Sequence, residues 1–300
     1  MNIQKAFSYV CVALLLTITS SLQAQKLPSV QEASVYAPAV VKADARLTEW
    51  DNLQAFNKAN GLSYTVANDD KNLYLVVKTE DPNIANKISA GGIDLTINTM
   101  GKKSPKDAYV ISFPMVDPTK LRDQMSSMSG MMRGGPNGPQ QPDSAAIAKM
   151  RKQAVSNFKE IKLIGFKDIA DSVISMYNDL GIKAAVTYDD KGALISELIM
   201  PLKYMGLTGS TAEFAYNIRL NGLNINAMMA SMGINIRALE AAAGAAGGGG
   251  GPIVVTGGGG GFGGGGFGGG GGMPRGAGMG DMQGMISPTD FWGKYKLATK

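Results

Sequence analysis

"LSYTVANDDKNLYLVVKTED" (residues 62–81) consists of two apolar runs separated by the polar cluster at 68–72. Two runs rich in Val, Leu and Tyr around a short Asn/Asp turn are typical of a β-hairpin. The segment "GIDLTINT" (92–99) follows and alternates apolar with polar residues, as a strand with one buried face does. The sequence therefore predicts antiparallel strands in this part of the chain.

Further strand patterns lie on both sides of one helical pattern. Residues 143–158 place apolar side chains at helical spacing and predict one amphipathic helix. The other strand-like stretches are "AYVISF" (108–113), "EIKLIGF" (160–166), a second hairpin at 182–201, "AEFAYNIRLNG" (212–222) and "DFWGKYKLAT" (290–299). Many short strands and little helix predict a mainly all-β fold, an antiparallel β-sandwich of jelly-roll-like type with one inserted helix.

Two stretches interrupt this pattern. The first, at about 122–146, is rich in Met, Gly, Pro and Gln, and the second, at 244–284, holds 24 of the 40 glycines. Neither can bury enough apolar surface to offset the entropy cost of ordering it, so both are predicted to be disordered loops. Within the second, "PIVVT" (252–256) is expected to have no fixed partner. Since "DFWGKYKLAT" reads as a strand that returns to the sheet, the glycine tract is predicted to be an insertion.

The first 24 residues have the features of a secretory signal peptide. Lys5 precedes the short apolar core "VCVALLLTI", and "SSLQA" offers a cleavage site after about Ala24. We therefore expect an exported protein, periplasmic or extracellular, whose mature part (25–300) is a single sandwich domain. This apolar core is too short to span a membrane, and no second apolar stretch reaches that length.

Composition excludes several kinds of chemistry. The chain has no histidine, and its only cysteine, Cys11, lies in the expected signal peptide. Ser-His-Asp hydrolysis, His-ligated zinc, His-ligated haem and cysteine catalysis are therefore excluded. Removing Lys5 with the signal lowers the formal charge from +5 to +4, too mild a positive charge to indicate nucleic-acid binding. No catalytic motif is present, so we do not expect an enzyme.

Four segments resemble one known family. They are "VVKADARLTEWDN" (40–52), the first hairpin, "ALISELIMPLKYMGL" (193–207) and "SPTDFWGKYKL" (287–297). In this order they resemble the opening strand, hairpin, Glu-containing strand and terminal strand of family 9 carbohydrate-binding modules and their DOMON-like relatives. The resemblance implies a β-sandwich and a carbohydrate ligand.

This sequence also departs from the family's pattern. Ala45 stands where the family's opening turn has glycine, so the turn geometry is open to question. The family's sugar site, a ring held between two tryptophans, is not carried over, because both Trp50 and Trp292 lie in framework motifs. Trp50 is interpreted as a core residue, while Trp292 borders the glycine insertion. The axial histidine of haem-binding relatives is absent.

Carboxylates cluster at the predicted turns: Asp44, Glu49, Asp69, Asp70, Asp81, Asp189 and Asp190. Such oxygens suit Ca²⁺, but Asp also forms turns by bonding its own backbone, and no stretch has a recognised calcium-ligand spacing. No cofactor is therefore expected, with Ca²⁺ left as a possibility. Glu197 alternates with apolar residues on its strand, and no partner for catalysis is evident. We therefore expect either a buried, hydrogen-bonded structural Glu or one that faces solvent.

Polar residues on the central strands are the candidates for ligand binding. Asp94 and Asn98 share one face of their strand, and Asn217 and Arg219 share one face of theirs. Together with the indole of Trp292, such groups suit sugar hydroxyls, although ordinary solvent exposure explains them equally well.

Three functions remain open at this level. The first is a non-enzymatic binding protein for a carbohydrate or another cell-envelope ligand. The second is a structural or interaction protein of the envelope that uses the glycine tract as a flexible arm. The third is periplasmic Cu(I) binding by thioethers. The candidate copper ligands are Met125, Met128, Met131, Met132, Met279, Met282 and Met285.

Overall fold

The computed structural model describes residues 26–117, 119–120, 143–209, 213–231, 233 and 279–300. The expected signal peptide, most of the two predicted loops and "PIVVT" lie outside these residues. The described part is mostly antiparallel β structure in two sheets.

A five-stranded sheet has the order β1-β2-β3-β9-β8. Its strands are β1 (Ala55–Asn57), β2 (Leu62–Asn68), β3 (Asn72–Thr79), β8 (Lys183–Tyr188) and β9 (Leu194–Pro201). A six-stranded sheet has the order β11-β10-β4-β5-β6-β7. Its strands are β4 (Ile93–Asn98), β5 (Tyr109–Phe113), β6 (Glu160–Ile164), β7 (Val173–Ser175), β10 (Glu213–Leu220) and β11 (Thr289–Lys296). The predicted sandwich is confirmed, while the three-residue strands β1 and β7 were not predicted.

The core lies between the sheets and follows the alternation of the strands. Leu62, Tyr64 and Val66 of β2 and Phe214 and Tyr216 of β10 are fully buried there. Side chains of this size each stabilise the fold by about 1.5–3 kcal/mol when buried. The Tyr64 and Tyr216 hydroxyls, 3.0 Å apart, hydrogen-bond across the core, so its buried phenols are satisfied.

The described residues include four α-helices, not one. They are α1 (Pro82–Gly91), α2 (Ser144–Ser156), α3 (Ile225–Ser231) and α4 (Met279–Ile286). Helix α2 is the one predicted. Helix α1 begins where the Asp81 carboxylate accepts hydrogen bonds from the main-chain N–H groups of Asn83 and Ile84. An Asp followed by Pro is a sequence pattern that predicts such a helix start. Helix α4 corrects the predicted end of the second loop, because 279–284 is helical.

Strand β11 closes the six-stranded sheet, as expected for a strand that follows an insertion. All eight of its residues pair with β10, from Thr289 opposite Leu220 to Lys296 opposite Glu213. The buried amine of Lys87 on α1 donates to the Ser287 carbonyl oxygen just before β11. Burial lowers the pKa of Lys87 below its usual value. The start of β11 is therefore tied to α1 as well as to the sheet.

The N-terminal segment 35–53 covers the outer face of the five-stranded sheet. Trp50 and Ala37 pack there against outward-facing Tyr74, Val76 and Ile199. Trp50 is 7% exposed, which confirms its interpretation as a core residue. Among the described residues, no comparable cluster covers the outer face of the six-stranded sheet.

Glu197 holds this covering segment in place. Its Oε1 accepts a hydrogen bond from Trp50 Nε1 at 2.9 Å, and its Oε2 accepts from the main-chain N–H groups of Ala45 at 2.7 Å and Asp44 at 3.1 Å. Burial raises the pKa of the Glu197 carboxyl, although the three hydrogen bonds oppose that shift. Of the two expectations for Glu197, the buried, hydrogen-bonded structural role is confirmed.

The backbone conformation of Ala45 shows the geometry of the opening turn. Its φ of 57° is the left-handed conformation that glycine adopts most easily, so alanine keeps this geometry. Its methyl group is fully buried against Ala185 and Ile195, and this burial offsets part of the conformational cost.

Candidate functional site

Four of the five predicted ligand-binding residues meet on the outer face of the six-stranded sheet. Arg219 on β10 pairs with Asp94 on β4 and with Asp290 on β11, and Asn217 pairs with Trp292. Neighbouring strands lie about 4.8 Å apart, so these side chains are adjacent. We call this set the polar face: Asp94, Asn217, Arg219, Asp290 and Trp292. The strands bring it together because each contributes alternate residues to the same side.

Amide groups hold the two carboxylates of the polar face. Asn217 Nδ2 donates to Asp290 Oδ2 at 2.8 Å and also to the Phe291 carbonyl oxygen at 2.9 Å. Asn221, just after β10, donates from Nδ2 to Asp94 Oδ1 at 2.7 Å. Each carboxylate is therefore oriented by a neutral donor and keeps a second oxygen for a ligand.

Two donors of the polar face have no partner among the described residues. The Arg219 side chain is exposed and forms no hydrogen bond or ion pair within that part of the chain, although carboxylates lie on both neighbouring strands. Trp292 is half-buried within β11, not at a loop, and its indole N–H is likewise without a described partner. The polar face thus presents a guanidinium, an indole edge and carboxylate oxygens together.

Asn98 is placed differently from the other predicted site residues. It lies on the same side of β4 but is fully buried. Its Nδ2 donates to the carbonyl oxygens of Ser104 and Lys106, and its Oδ1 accepts from the N–H groups of Met100 and Lys102. All of its hydrogen-bonding capacity is used to shape the loop after β4, so Asn98 is not part of the polar face.

The other half of the same sheet face carries exposed apolar side chains among polar ones. Val110 on β5 pairs with Ile164 on β6, and Val173 on β7 lies opposite Lys162. Ile164 is 49% exposed and Val173 37% exposed. A ligand longer than the polar face would therefore meet Ile164 and Val173 beside Lys162 as it crossed towards β7.

A concavity lies on the five-stranded sheet. It is an open groove of about 920 Å³ between β1 and the covering segment, with the exposed side chains of Leu27 and Phe56 on one wall. Lys78 lies in the groove and is engaged by Glu80, whose Oε1 is 2.8 Å from the Lys78 Nζ. Other polar side chains, among them Asp51, Asn52 and Lys58, also line this groove.

Four of the seven turn carboxylates form local hydrogen bonds to main-chain N–H groups. Asp44, Asp69 and Asp189 each accept from main-chain N–H groups two to four residues further on, and Asp81 caps α1. The interpretation of these residues as turn formers is confirmed. Among the described residues, no three Asp or Glu side chains form a group that could hold a metal ion.

The copper hypothesis is untested by the described residues. Met125, Met128, Met131 and Met132 lie outside them. Met279 and Met282 belong to α4, whose first turn is described only by its backbone, and the Met285 carbonyl oxygen accepts a hydrogen bond from the N–H of Leu223. The flexible-arm hypothesis depends on the glycine tract, which also lies largely outside the described residues. Both stay predictions.

Sequence reasoning missed Asp290 and Asn221. Asp290 alternates with Phe291 on its strand, a pattern that predicts an outward side chain, but nothing local shows that β11 lies beside β10.

Comparison with protein-family models and with curated proteins found no match to this chain. No helix in the described part of the chain is long and apolar enough to cross a membrane.

Proposed function

We propose that this chain is an exported, non-catalytic protein that binds a neutral glycan on its polar face. One observation carries the proposal: Arg219 and Trp292, whose donors have no partner among the described residues, lie beside two amide-held carboxylates on the outer face of the sheet. Export is proposed from the signal-like residues 1–24 alone.

The chemistry of this face suits sugar hydroxyls. A carboxylate accepts hydrogen bonds from hydroxyl groups, and a guanidinium donates several in a fixed geometry. An indole offers an apolar surface for the C–H side of a sugar ring and an N–H at its edge. Because the carboxylates are already oriented, little side-chain freedom is lost when the ligand binds.

The charge of the polar face favours a neutral ligand. Two carboxylates, Asp94 and Asp290, flank one cation, Arg219. The nearby Lys294 is engaged by Glu213, with its Nζ 2.7 Å from Glu213 Oε1. An anionic polysaccharide would approach two carboxylates for each free guanidinium, so we expect it to bind more weakly than an uncharged one.

The test is calorimetric titration of the mature protein with a panel of neutral glucans, mannans, xylans and galactans and with uronate polymers. At least one neutral polymer is expected to bind. Trp292→Ala and Arg219→Ala are each expected to weaken that binding at least about tenfold, since each removes about 1.4 kcal/mol or more.

Phe56→Ala is the matched control, because Phe56 is 39% exposed in the groove of the opposite sheet. It is expected to leave glycan affinity unchanged. Absence of binding across the panel would refute the proposed function. Loss of binding in Phe56→Ala but not in Trp292→Ala would refute the polar face as its site.

A further inference from the structure

Strand β11 is an edge strand of the six-stranded sheet. It pairs with β10 along one side, and the described residues make no main-chain hydrogen bond to its other side. A row of unpaired N–H and C=O groups on such an edge is a template for another strand. The inference below concerns what pairs with this edge and goes beyond the proposed function.

Two hydrogen bonds show which residues direct their backbone outward. The Lys296 carbonyl oxygen accepts from Ser34 Oγ at 2.6 Å, on the side away from β10. The Phe291 carbonyl oxygen accepts from Asn217 Nδ2 on β10. In an antiparallel pair, alternate residues direct both backbone groups towards the same neighbour. Asp290, Trp292 and Lys294 therefore present their N–H and C=O groups to the outer edge.

The open part of the edge is symmetric about Trp292. Ser34 occupies the edge at Lys296, which leaves the stretch from Thr289 to Tyr295, whose midpoint is Trp292. Two copies paired antiparallel about a twofold axis at this midpoint place Trp292 opposite Trp292 of the second copy. The same register places Asp290 opposite Lys294 of the second copy, twice by symmetry. All three positions carry outward backbone groups, so each pair is a hydrogen-bonded one.

The side chains in this register are complementary. An aromatic pair and two opposite-charge pairs across an antiparallel ladder are each favourable. Lysines on an edge normally prevent strand pairing, because like charges meet. Here the symmetry brings Lys294, which also contacts Glu213 of its own chain, to Asp290 of the second copy, while Lys296 lies beyond the paired stretch.

We infer that two copies of this chain associate through β11, edge to edge, to form one continuous sheet across the dimer. The association is isologous, with the same residues on both sides. It places the two polar faces side by side on one surface, so a polymer could contact both. The contact is small, which implies reversible association at high protein concentration.

Cysteine cross-linking tests both the dimer and its register. The expected signal peptide holds the chain's only cysteine, so each introduced thiol in the mature protein is unique. A hydrogen-bonded antiparallel pair brings two Cα atoms to about 5.5 Å, within reach of a disulfide. Trp292→Cys is expected to form a disulfide dimer under mild oxidation.

Asp290→Cys and Lys294→Cys provide the register control. Each is expected to stay monomeric alone, because equivalent residues lie four positions apart, about 13 Å along the strand. A mixture of the two is expected to cross-link. A monomeric Trp292→Cys protein, or equal cross-linking by each variant alone, would overturn the inference.

Sedimentation of the uncross-linked protein, with concentration varied up to about 1 mM, gives a second readout. Lys294→Pro removes an outward N–H and is expected to raise the dimer dissociation constant at least about tenfold. Lys296→Pro changes an outward N–H outside the paired stretch and is expected to leave it unchanged. A wild-type chain that stays monomeric, as it would if its own residues 252–256 covered the edge, overturns the inference.

Discussion

The hydrogen bonds of Glu197 make a quantitative prediction about stability. Glu197→Gln keeps the shape of the side chain but replaces one acceptor oxygen with an NH₂ group. All three surrounding partners, Trp50 Nε1 and the N–H groups of Ala45 and Asp44, are donors. Whichever way the amide turns, at least one donor then faces another donor in a buried site.

The expected cost follows from the number of bonds lost. A hydrogen bond to a charged group contributes about 1.5–3 kcal/mol, so Glu197→Gln should lower the free energy of unfolding by about 2–3 kcal/mol. Trp50→Phe removes one donor and should cost about 1.5–3 kcal/mol. Because the two changes delete a shared bond, the double variant should cost less than their sum by at least about 1 kcal/mol.

Urea unfolding followed by circular dichroism measures these values, and an unchanged m-value shows that the unfolding transition itself is the same. A Glu197→Gln protein as stable as wild type would refute the reasoning. Strict additivity of the two substitutions would show that Trp50 and Glu197 are not coupled, and would refute it equally.

The same carboxyl predicts a pH dependence. Burial raises the pKa of Glu197 in the folded state above its value in the unfolded chain. Between these two values the folded state binds more protons, so its stability falls as the pH rises through this window. The slope should be absent in Glu197→Gln. A slope of the same size in that variant would show that other groups cause it.

Three further predictions concern Lys87, Asn98 and Ala45. Burial lowers the pKa of Lys87 in the folded state, so the unfolded chain binds more protons between the folded-state pKa and the ordinary lysine pKa. The free energy of unfolding should therefore rise with pH across this window, and Lys87→Met should abolish the rise in urea titrations at alkaline pH. Asn98→Ala leaves buried main-chain groups of the following loop without hydrogen-bond partners and should lower the free energy of unfolding by about 2–3 kcal/mol. A loss below about 0.5 kcal/mol would contradict the role assigned to Asn98. Ala45→Gly loses a buried methyl group but relieves the cost of the left-handed φ, so the free energy of unfolding should change by less than about 1 kcal/mol. Ala45→Val adds a β-branched side chain at the same φ and should lower the free energy of unfolding by more than about 2 kcal/mol, as measured by thermal unfolding.

Much of the fold could be predicted locally. The two hairpins, the strands β4, β5, β6, β10 and β11 and the helix α2 all follow from alternation, turn chemistry and helical spacing in short windows. The short strands β1 and β7 could not, because three residues carry too little pattern to be recognised. Helix α1 was missed although Asp81 and Pro82 form a readable N-terminal signal.

The candidate site was only partly predictable. Alternation correctly placed Asp94, Asn217 and Arg219 on outward faces, since successive side chains of a strand point to opposite sides. It placed Asn98 there too, but could not show that the following loop folds back and consumes its amide. Whether an outward polar residue faces solvent or a loop depends on chain segments outside its own strand.

The sequence by itself determined which side chains share a face of each strand, where most strands begin and end, and that histidine chemistry is excluded. Only the tertiary structure decided that β11 lies beside β10 and that Asp290 therefore flanks Arg219. It also decided that segment 35–53 covers the outer face of the five-stranded sheet, whereas no comparable cluster of described residues covers the six-stranded one. The physical reason is that alternation has a period of two residues whatever the neighbouring strand is. Strand order depends on hydrogen bonds and burial between segments far apart in the chain, such as the hydrogen bonds that join Asn217 to Asp290 and Trp50 to Glu197.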